Sequence, residues 1–262
     1  MTLPFSANLG FLWTDLALPE AVRAAARAGF DAVELHWPYA VAPAQLRQAL
    51  DDSGLPVLGL NTSRGDVERG QFGLSALPGQ EAAARAAIDQ ALAYAREIGA
   101  SSLHVMAGKA EGTAARDTFI ANLRHAAEAA RDAAITILLE PLNHHDVPGY
   151  FLVDNATAAA IIEATGQDNI RIMFDCYHVG RSGRSILDEF ATHREMIGHV
   201  QFAALPDRGE PDQGDVDYAR VLPALAEAGY GGFFGAEYKP RQGTDEGLGW
   251  LTAWRQLPEF NR

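Results

Sequence analysis

The chain of 262 residues has almost no cysteine and few basic side chains. Cys176 is the single cysteine, so neither an intrachain disulfide nor a cluster of thiolate metal ligands is possible. The 21 Lys and Arg residues stand against 34 Asp and Glu residues, which gives a formal net charge of −13. Because this charge repels phosphate backbones, we expect no nucleic-acid partner. A small anionic ligand remains compatible, since a few local cations reverse the field inside a pocket.

Long apolar runs are also missing. No stretch approaches the roughly 20 apolar residues that span a bilayer, so we expect no membrane association. The opening segment Met1–Trp13 has neither the basic start nor the long apolar run of a secretory signal. Together these absences predict a cytoplasmic protein. No Gly-x-Gly-x-x-Gly string follows the first apolar run, which disfavours a dinucleotide-binding fold.

The chain does contain a regular alternation of short apolar runs and helical patterns. Eight such repeats in 262 residues, with no two strands directly adjacent, predict a parallel (β/α)₈ barrel. Without a linker or charge block, we expect one domain over residues 1–262. The candidate strands are Phe5–Trp13, Ala32–His36, Pro56–Thr62, Ser101–Met106, Thr136–Asn143, Ile170–His178, Ile197–Ala203 and Gly232–Tyr238.

Glycine, proline and capping residues predict several element boundaries. Apolar residues at helical spacing predict a helix over Pro78–Gly99 that stops at its final glycine. Asp154 is expected to cap a helix that ends at Gly166. Pro223 lies inside the seventh helical pattern and predicts a late start or a kink. The Gly-rich segment Ser63–Leu77 has no periodicity and is either a lid or a plain surface loop.

Four successive strands of the second half end in an oxygen-bearing side chain. These are Glu140, Asp175, Gln201 and Glu237, separated by 35, 26 and 36 residues. Each separation is about one strand–helix unit. In a barrel, this spacing places the four groups on neighbouring strands at the carboxyl-terminal mouth.

Three carboxylates in one buried place require a neutralising cation. The oxygen donors predict one divalent ion, Mg²⁺ or Mn²⁺, bound by the four residues. A single carboxylate at a strand end could simply cap the next helix. Helix capping does not explain four oxygen-bearing side chains at the same position of four neighbouring strands.

A set of short strings extends the pattern over the whole chain. In this ordered set the chain resembles the hydroxypyruvate isomerase family of the xylose-isomerase-like barrels. The strings are Phe5-Ser6-Ala7-Asn8-Leu9, Leu139-Glu140-Pro141-Leu142-Asn143, Asp146-Val147-Pro148-Gly149-Tyr150, Asp175-Cys176-Tyr177-His178, Gly198-His199-Val200-Gln201, Arg208-Gly209-Glu210-Pro211, Glu237-Tyr238-Lys239-Pro240 and Gly247-Leu248-Gly249-Trp250.

The resemblance implies an isomerase that interconverts hydroxypyruvate and tartronate semialdehyde, or a closely similar pair. The family's proton-transferring glutamates fall on Glu140 and Glu237, and its metal positions fall on the four strand-end residues. Ketose 3-epimerases of the superfamily usually carry His on strand seven, so Gln201 favours the isomerase branch. After the string Arg208-Gly209-Glu210-Pro211 the family usually has Gly-Thr-Gly, whereas this chain has Asp212-Gln213-Gly214. This difference leaves the identity of the substrate open, and 2-oxotetronate is an alternative.

The chemistry accounts for these residue types. Moving a carbonyl by one carbon requires a proton to leave one carbon and return to its neighbour. A metal stabilises the enediolate, and a positioned carboxylate serves first as base and then as acid. We assign proton transfer to Glu140 and Glu237, on opposite sides of the substrate. Which of them acts first is left open.

Substrate contacts are expected from residues that follow the strands. His178 lies three residues beyond Asp175, and Asn61 ends the third strand. A keto acid needs a cation for its carboxylate, and Lys109, Arg208 and Lys239 follow strands closely enough to provide one. Arg208 is the first choice, because a planar guanidinium binds a carboxylate in two places.

The sequence leaves the roles of three further residues open. Glu34 and His36 on strand two could reach the mouth. His199 shares the inward face with Gln201 and is either a core histidine or part of the site.

The sequence is compatible with three competing functions. They are a ketose 3-epimerase, an abasic-site endonuclease of the same superfamily and a non-catalytic barrel that binds a metabolite. The charge of −13 disfavours the endonuclease. The clustered carboxylates disfavour the non-catalytic barrel, and a homo-oligomer remains open.

Overall fold

The computed structural model describes residues 3–260, in which eight short strands alternate with helices. The single domain predicted over 1–262 also includes residues 1–2 and 261–262, which lie outside the described residues. The strands are β1 Phe5–Asn8, β2 Ala32–Glu34, β3 Gly59–Asn61, β4 Ser102–His104, β5 Thr136–Leu139, β6 Ile170–Asp175, β7 Ile197–Phe202 and β8 Phe234–Ala236.

The sheet closes on itself. All pairs in the order β2-β1-β8-β7-β6-β5-β4-β3 are parallel. The backbone N–H of Val33 donates to Pro56 at 3.0 Å, and Leu58 donates back to Val33 at 2.9 Å. A further bond of 2.9 Å joins Leu35 to Gly59, so β2 and β3 complete the ring. The predicted (β/α)₈ barrel is confirmed.

The strands are shorter than predicted at their carboxyl ends. β1 ends at Asn8, where a series of turns replaces the predicted extension to Trp13. β6 ends at Asp175, because helix α6 begins at Cys176. In both places the apolar pattern continues into the loops that form the mouth of the barrel.

The helices surround the barrel, and the helix between Asp154 and Gly166 begins and ends where its caps predict. The Asp154 carboxylate accepts from the N–H of Thr157 at 2.7 Å, and Gly166 ends that helix at φ 68°. Pro223 lies inside the eighth helix. The helices are α1 Leu18–Ala28, α2 Pro43–Ser53, α3 Glu81–Ile98, α4 Gly112–Ala130, α5 Asn155–Thr165, α6 Cys176–Arg181, α7 Ile186–His193, α8 Tyr218–Glu227 and α9 Gly249–Trp254. Within residues 3–260, none combines the length and apolar character needed to cross a bilayer.

An aromatic cluster fixes the last helix to the barrel. Trp250 on α9 meets Phe5 of β1 edge to face, with ring centroids 5.4 Å apart, and Phe202 of β7 at 5.7 Å. All three side chains are fully buried. Edge-to-face pairs of this kind stabilise the contact beyond simple burial.

The segment Ser63–Leu77 forms a wall at the mouth. Its second half is tied to the chain after β4, since Ser75 N–H donates to the carbonyl of Met106 and Ala76 to that of Ala107. Residues 66–70 are exposed. The segment is therefore anchored at one end and open to solvent at its tip.

Candidate active site

The four oxygen-bearing residues predicted from the strand ends meet at one mouth of the barrel. Asp175 on β6 is in register with Gln201 on β7, and Gln201 with Gly235, two residues before Glu237. Glu140 directly follows β5. None of the four is more than 6 % exposed. The closed sheet therefore gathers three carboxylates and one amide into a buried cluster.

Arg208 reaches into this cluster from the loop between β7 and α8. Its Nη2 lies 2.6 Å from Glu237 Oε2 and 3.4 Å from Asp175 Oδ2. The guanidinium carbon is also 4.9 Å from the ring centroids of Phe11 and Tyr177, within cation–π range. Arg208 is thus already paired with two of the carboxylates.

A second arginine fixes the loop that carries Arg208. The backbone of Arg208 has φ 60°, a left-handed conformation that costs free energy in a non-glycine residue. Its carbonyl accepts from Lys239 N–H at 2.7 Å. Arg241 pairs with Asp207 at 2.8 Å and with the buried Glu210 at 2.5 Å. These contacts hold the loop in the conformation that points Arg208 at the carboxylates.

His178 directs its Nε2 toward the cluster without a hydrogen-bond partner among residues 3–260. Its Nδ1 accepts from the backbone N–H of Asn143 at 3.1 Å, so the proton of the neutral ring is on Nε2. That Nε2 lies 3.5 Å from Asp175 and 3.7 Å from Glu140. Burial and the charge of Arg208 lower the pKa of His178 to about 3. The ring lies close enough to the two carboxylates to be a metal ligand, but the tautomer disfavours that role.

Glu237 has two further partners at its other oxygen. The Asn8 amide donates to Oε1 at 3.0 Å, and His36 Nε2 lies 3.0 Å from the same atom. His36 therefore does reach the mouth. Gly10 makes room for it, because a Cβ there would lie 2.0 Å from the imidazole.

Glu34 is buried beside Gln201 and sets the orientation of its amide. Gln201 Nε2 donates to Glu34 Oε2 at 2.7 Å, and the Ser6 hydroxyl donates to Oε1 at 2.6 Å. His199 Nε2 lies 3.0 Å from Glu34 Oε1. Burial alone raises the pKa of Glu34, but His199 and Ser6 bring it below its ordinary value. An ionised carboxylate only accepts, so the NH₂ end of Gln201 must face Glu34.

This contact requires a glycine on the neighbouring strand. A Cβ at Gly235 would lie 2.3 Å from Glu34 Oε1 and 3.0 Å from the Gln201 side chain. The absence of a side chain at Gly235 is therefore what lets Glu34 pack against Gln201.

The three carboxylates of the cluster do not ionise alike. Burial and the charges of Glu237 and Asp175 raise the pKa of Glu140 well above its ordinary value. Burial, partly offset by Arg208, raises the pKa of Asp175 to about 7. For Glu237, Arg208 and His36 outweigh burial and lower the pKa to about 2. One arginine thus compensates one carboxylate, and the others lack a full counter-charge.

The remaining donors fit a hard divalent cation. Among residues 3–260, Gln201 Oε1 is buried without a hydrogen-bond partner. A cavity of about 20 Å³, large enough for one water or ion, is lined in part by Glu140, Gln201 and Glu237. Carboxylate and amide oxygens are the donors that Mg²⁺ and Mn²⁺ prefer.

A larger pocket of about 250 Å³ leads to the cluster from outside. Three of the predicted substrate contacts, Asn61, His178 and Arg208, line it. Lys109 lies elsewhere: its side chain is exposed and borders a separate depression with Gly112 and Tyr150. The apolar part of the wall is formed by Phe11, Phe72, Met106, Leu142 and Val147.

Besides most of the apolar wall, the sequence interpretation missed two ionisable residues of this pocket, His104 and Arg64. His104 is buried on β4, with Nδ1 3.5 Å from Glu140 Oε2, and burial lowers its pKa to about 4. The sequence does contain a signal for His104, because it precedes Met106 by two residues and the two side chains therefore share the inward face of the strand. Arg64 also lines the pocket, but it belongs to an aperiodic loop that carries no such signal.

Comparisons with known proteins agree with this architecture. The family model described as xylose isomerase-like TIM barrel matches residues 22–254. A 2-oxo-tetronate isomerase of Cupriavidus necator is 41% identical, covering 94% of this chain and 96% of its own. A mouse protein named "Putative hydroxypyruvate isomerase" is 40% identical, covering 96% and 95%. A crystal structure named AP endonuclease, family 2, from Brucella melitensis has a TM-score of 0.93 at 34% identity, covering 98% of this chain and 100% of its own.

Proposed function

The chain belongs to the xylose isomerase-like TIM barrel family, and we propose that it isomerises a three- or four-carbon hydroxylated keto acid. The relatives named 2-oxo-tetronate isomerase and hydroxypyruvate isomerase support the class of enzyme predicted from the sequence. The observation that carries the proposal is the buried group of three carboxylates and one amide oxygen at the end of a substrate-sized pocket.

In the proposed reaction, Glu140 and Glu237 transfer the protons. One carboxylate takes a proton from the hydroxyl-bearing carbon and leaves an enediolate. The other delivers a proton to the former carbonyl carbon, while the hydroxyl proton passes to the second oxygen. Each transfer by a positioned group contributes typically about 10²–10⁴-fold in rate.

Glu140, Asp175, Gln201 and Glu237 are the residues proposed to hold one divalent ion, Mg²⁺ or Mn²⁺. When bound, the ion would supply a Lewis acid for two neighbouring substrate oxygens. His178 and Asn61 are proposed to contact the substrate hydroxyl groups from the pocket wall. Arg208 orients Glu237 and Asp175, to which it is paired.

Two other activities, those of an endonuclease and an epimerase, compete with the proposed isomerase activity. The Brucella melitensis structure is named an AP endonuclease, but a net charge of −13 disfavours binding of a DNA backbone. The 3-keto-D-glucoside 4-epimerase from E. coli has a TM-score of 0.77 at 21% identity, which shows a similar fold and carries no argument about activity. An epimerase would act on neutral ketoses.

A substrate panel decides between these activities. It contains hydroxypyruvate, 2-oxotetronate, fructose and an abasic-site DNA duplex, each with Mn²⁺-loaded protein. We expect one of the two keto acids to give the highest kcat/KM. Preferred turnover of fructose would favour the epimerase, and cleavage of the duplex would favour the endonuclease. The cytoplasmic location and the absence of nucleic-acid partners remain predictions.

A further inference from the structure

Arg64 presents a second guanidinium to the pocket. Its Cζ lies 3.9 Å from the centre of the Trp37 ring, and both residues line the pocket that leads to Glu140 and Glu237. The side chain is only partly exposed. The indole therefore holds a positive charge at the pocket wall.

The two arginines of the pocket differ in their partners. Arg208 is already paired with Glu237 and Asp175. Within residues 3–260, no carboxylate forms an ion pair with Arg64. A guanidinium stacked on an aromatic face keeps its N–H groups free at the edge, in the planar fork that matches a carboxylate. Arg64 is thus the arginine whose charge is available to a ligand.

The backbone around Arg64 is fixed in advance. Its carbonyl accepts from Gly73 N–H at 2.9 Å, which closes the base of the loop. Trp37 Nε1 donates to the carbonyl of Thr62 at 3.0 Å and so holds the indole next to that base. Preorganisation of this kind lowers the ordering cost when an anion binds.

We propose that Arg64 binds the carboxylate of the substrate and selects keto acids over neutral ketones. This inference rests on the proposed function, because it names the residue that recognises the substrate class at the same site. It replaces Arg208, the first choice from the sequence, as the principal carboxylate contact.

Binding of two small isosteric probes to the Mn²⁺-loaded protein tests the inference without turnover. Pyruvate carries a carboxylate where pyruvamide carries a neutral amide of the same shape, and neither has the hydroxyl-bearing carbon that the proposed reaction deprotonates. In Arg64→Gln we expect pyruvate affinity to fall by about tenfold or more, the loss of a charge-assisted hydrogen bond. Pyruvamide affinity should be unchanged. Arg64→Lys should recover part of the pyruvate affinity, since it keeps the charge but not the fork.

Arg69 provides the matched control. It lies on the same loop, is 85 % exposed and pairs with Asp66, so Arg69→Gln removes the same charge away from the pocket. This variant should bind pyruvate like the wild type. Equal losses in both variants would reduce the effect to net charge and overturn the proposal.

The remaining outcomes separate the inference from the proposed function. If the wild type isomerises keto acids but Arg64→Gln keeps pyruvate affinity and KM, the inference fails and the function stands. A pyruvate-selective loss in Arg208→Gln but not in Arg64→Gln would also overturn it. If the wild type turns over no keto acid, the function fails, and the pyruvate measurement alone decides whether Arg64 binds carboxylates.

Discussion

The amide nitrogen of Gln201 lies 2.7 Å from the carboxylate of Glu34, two residues that are 167 positions apart in the chain. Because Glu34 can only accept, this one bond determines which end of the amide faces the metal-capable cluster. The oxygen is left buried and without a partner. The amide oxygen that we propose as a metal ligand is thus oriented by a residue outside the proposed ligand set.

We therefore predict that Glu34→Gln weakens Mn²⁺ binding. A glutamine at this position can donate as well as accept, so the Gln201 amide is free to turn its NH₂ toward the ion. Loss of such a supporting contact typically lowers metal affinity by about 10–100-fold. The dissociation constant is measured by calorimetry, with Glu189→Gln as a control that removes a carboxylate on α7. An unaltered constant in Glu34→Gln would mean that the amide is oriented by other contacts.

Gly235→Ala is expected to destabilise the fold at the same contact. The added Cβ would meet Glu34 Oε1 at 2.3 Å, and overpacking in a buried site costs about 1–3 kcal/mol. At Gly231 a Cβ would meet nothing within 4 Å, so Gly231→Ala is the control. Urea denaturation gives both free energies of unfolding. Equal stability of the two variants would show that the strand relaxes around the methyl group.

Glu140→Gln and Glu237→Gln should each reduce kcat by about 10²-fold or more while the protein remains folded. An amide keeps the shape of the side chain but cannot carry the proton. Incubation of the substrate in D₂O separates the two roles. The variant that retains the first base still exchanges the substrate proton without forming product. Near-normal turnover in either variant would leave that glutamate only a ligating role.

Mn²⁺ affinity is expected to rise with pH through the range around 7 in which Asp175 titrates. Burial raises the pKa of Asp175 to about 7 and that of Glu140 above its ordinary value, so both carboxyls release protons when an ion binds. Below pH 7, each linked proton weakens binding about tenfold per pH unit. Calorimetry in buffers of different ionisation enthalpy counts the protons released. A constant affinity from pH 5.5 to 8 would contradict the raised pKa values.

The barrel and the main cluster could be predicted because both follow from local patterns. Glu140, Asp175, Gln201 and Glu237 each end an apolar strand, and a parallel barrel places all strand ends at one mouth. Register then brings Asp175 beside Gln201 without further information.

The contacts across the barrel could not be predicted in this way. Glu34 meets Gln201 only because β2 and β7 face each other across the barrel interior and Gly235 leaves the space. Arg64 and Lys109 both follow strands, yet only Arg64 lines the pocket, because the conformations of their loops decide where each side chain lies. Loop geometry of this kind has no periodic signal in the sequence.

The central claim is metal-assisted proton transfer on a keto acid, and NMR in D₂O tests it most directly. Hydroxypyruvate is incubated with Mg²⁺-loaded protein, with the same protein after EDTA, and with Glu140→Gln. We predict conversion to tartronate semialdehyde with deuterium at the carbon that receives hydrogen, and loss of conversion in both other samples. Equal conversion after complete chelation, or none by the loaded wild type on either hydroxypyruvate or 2-oxotetronate, would contradict the account.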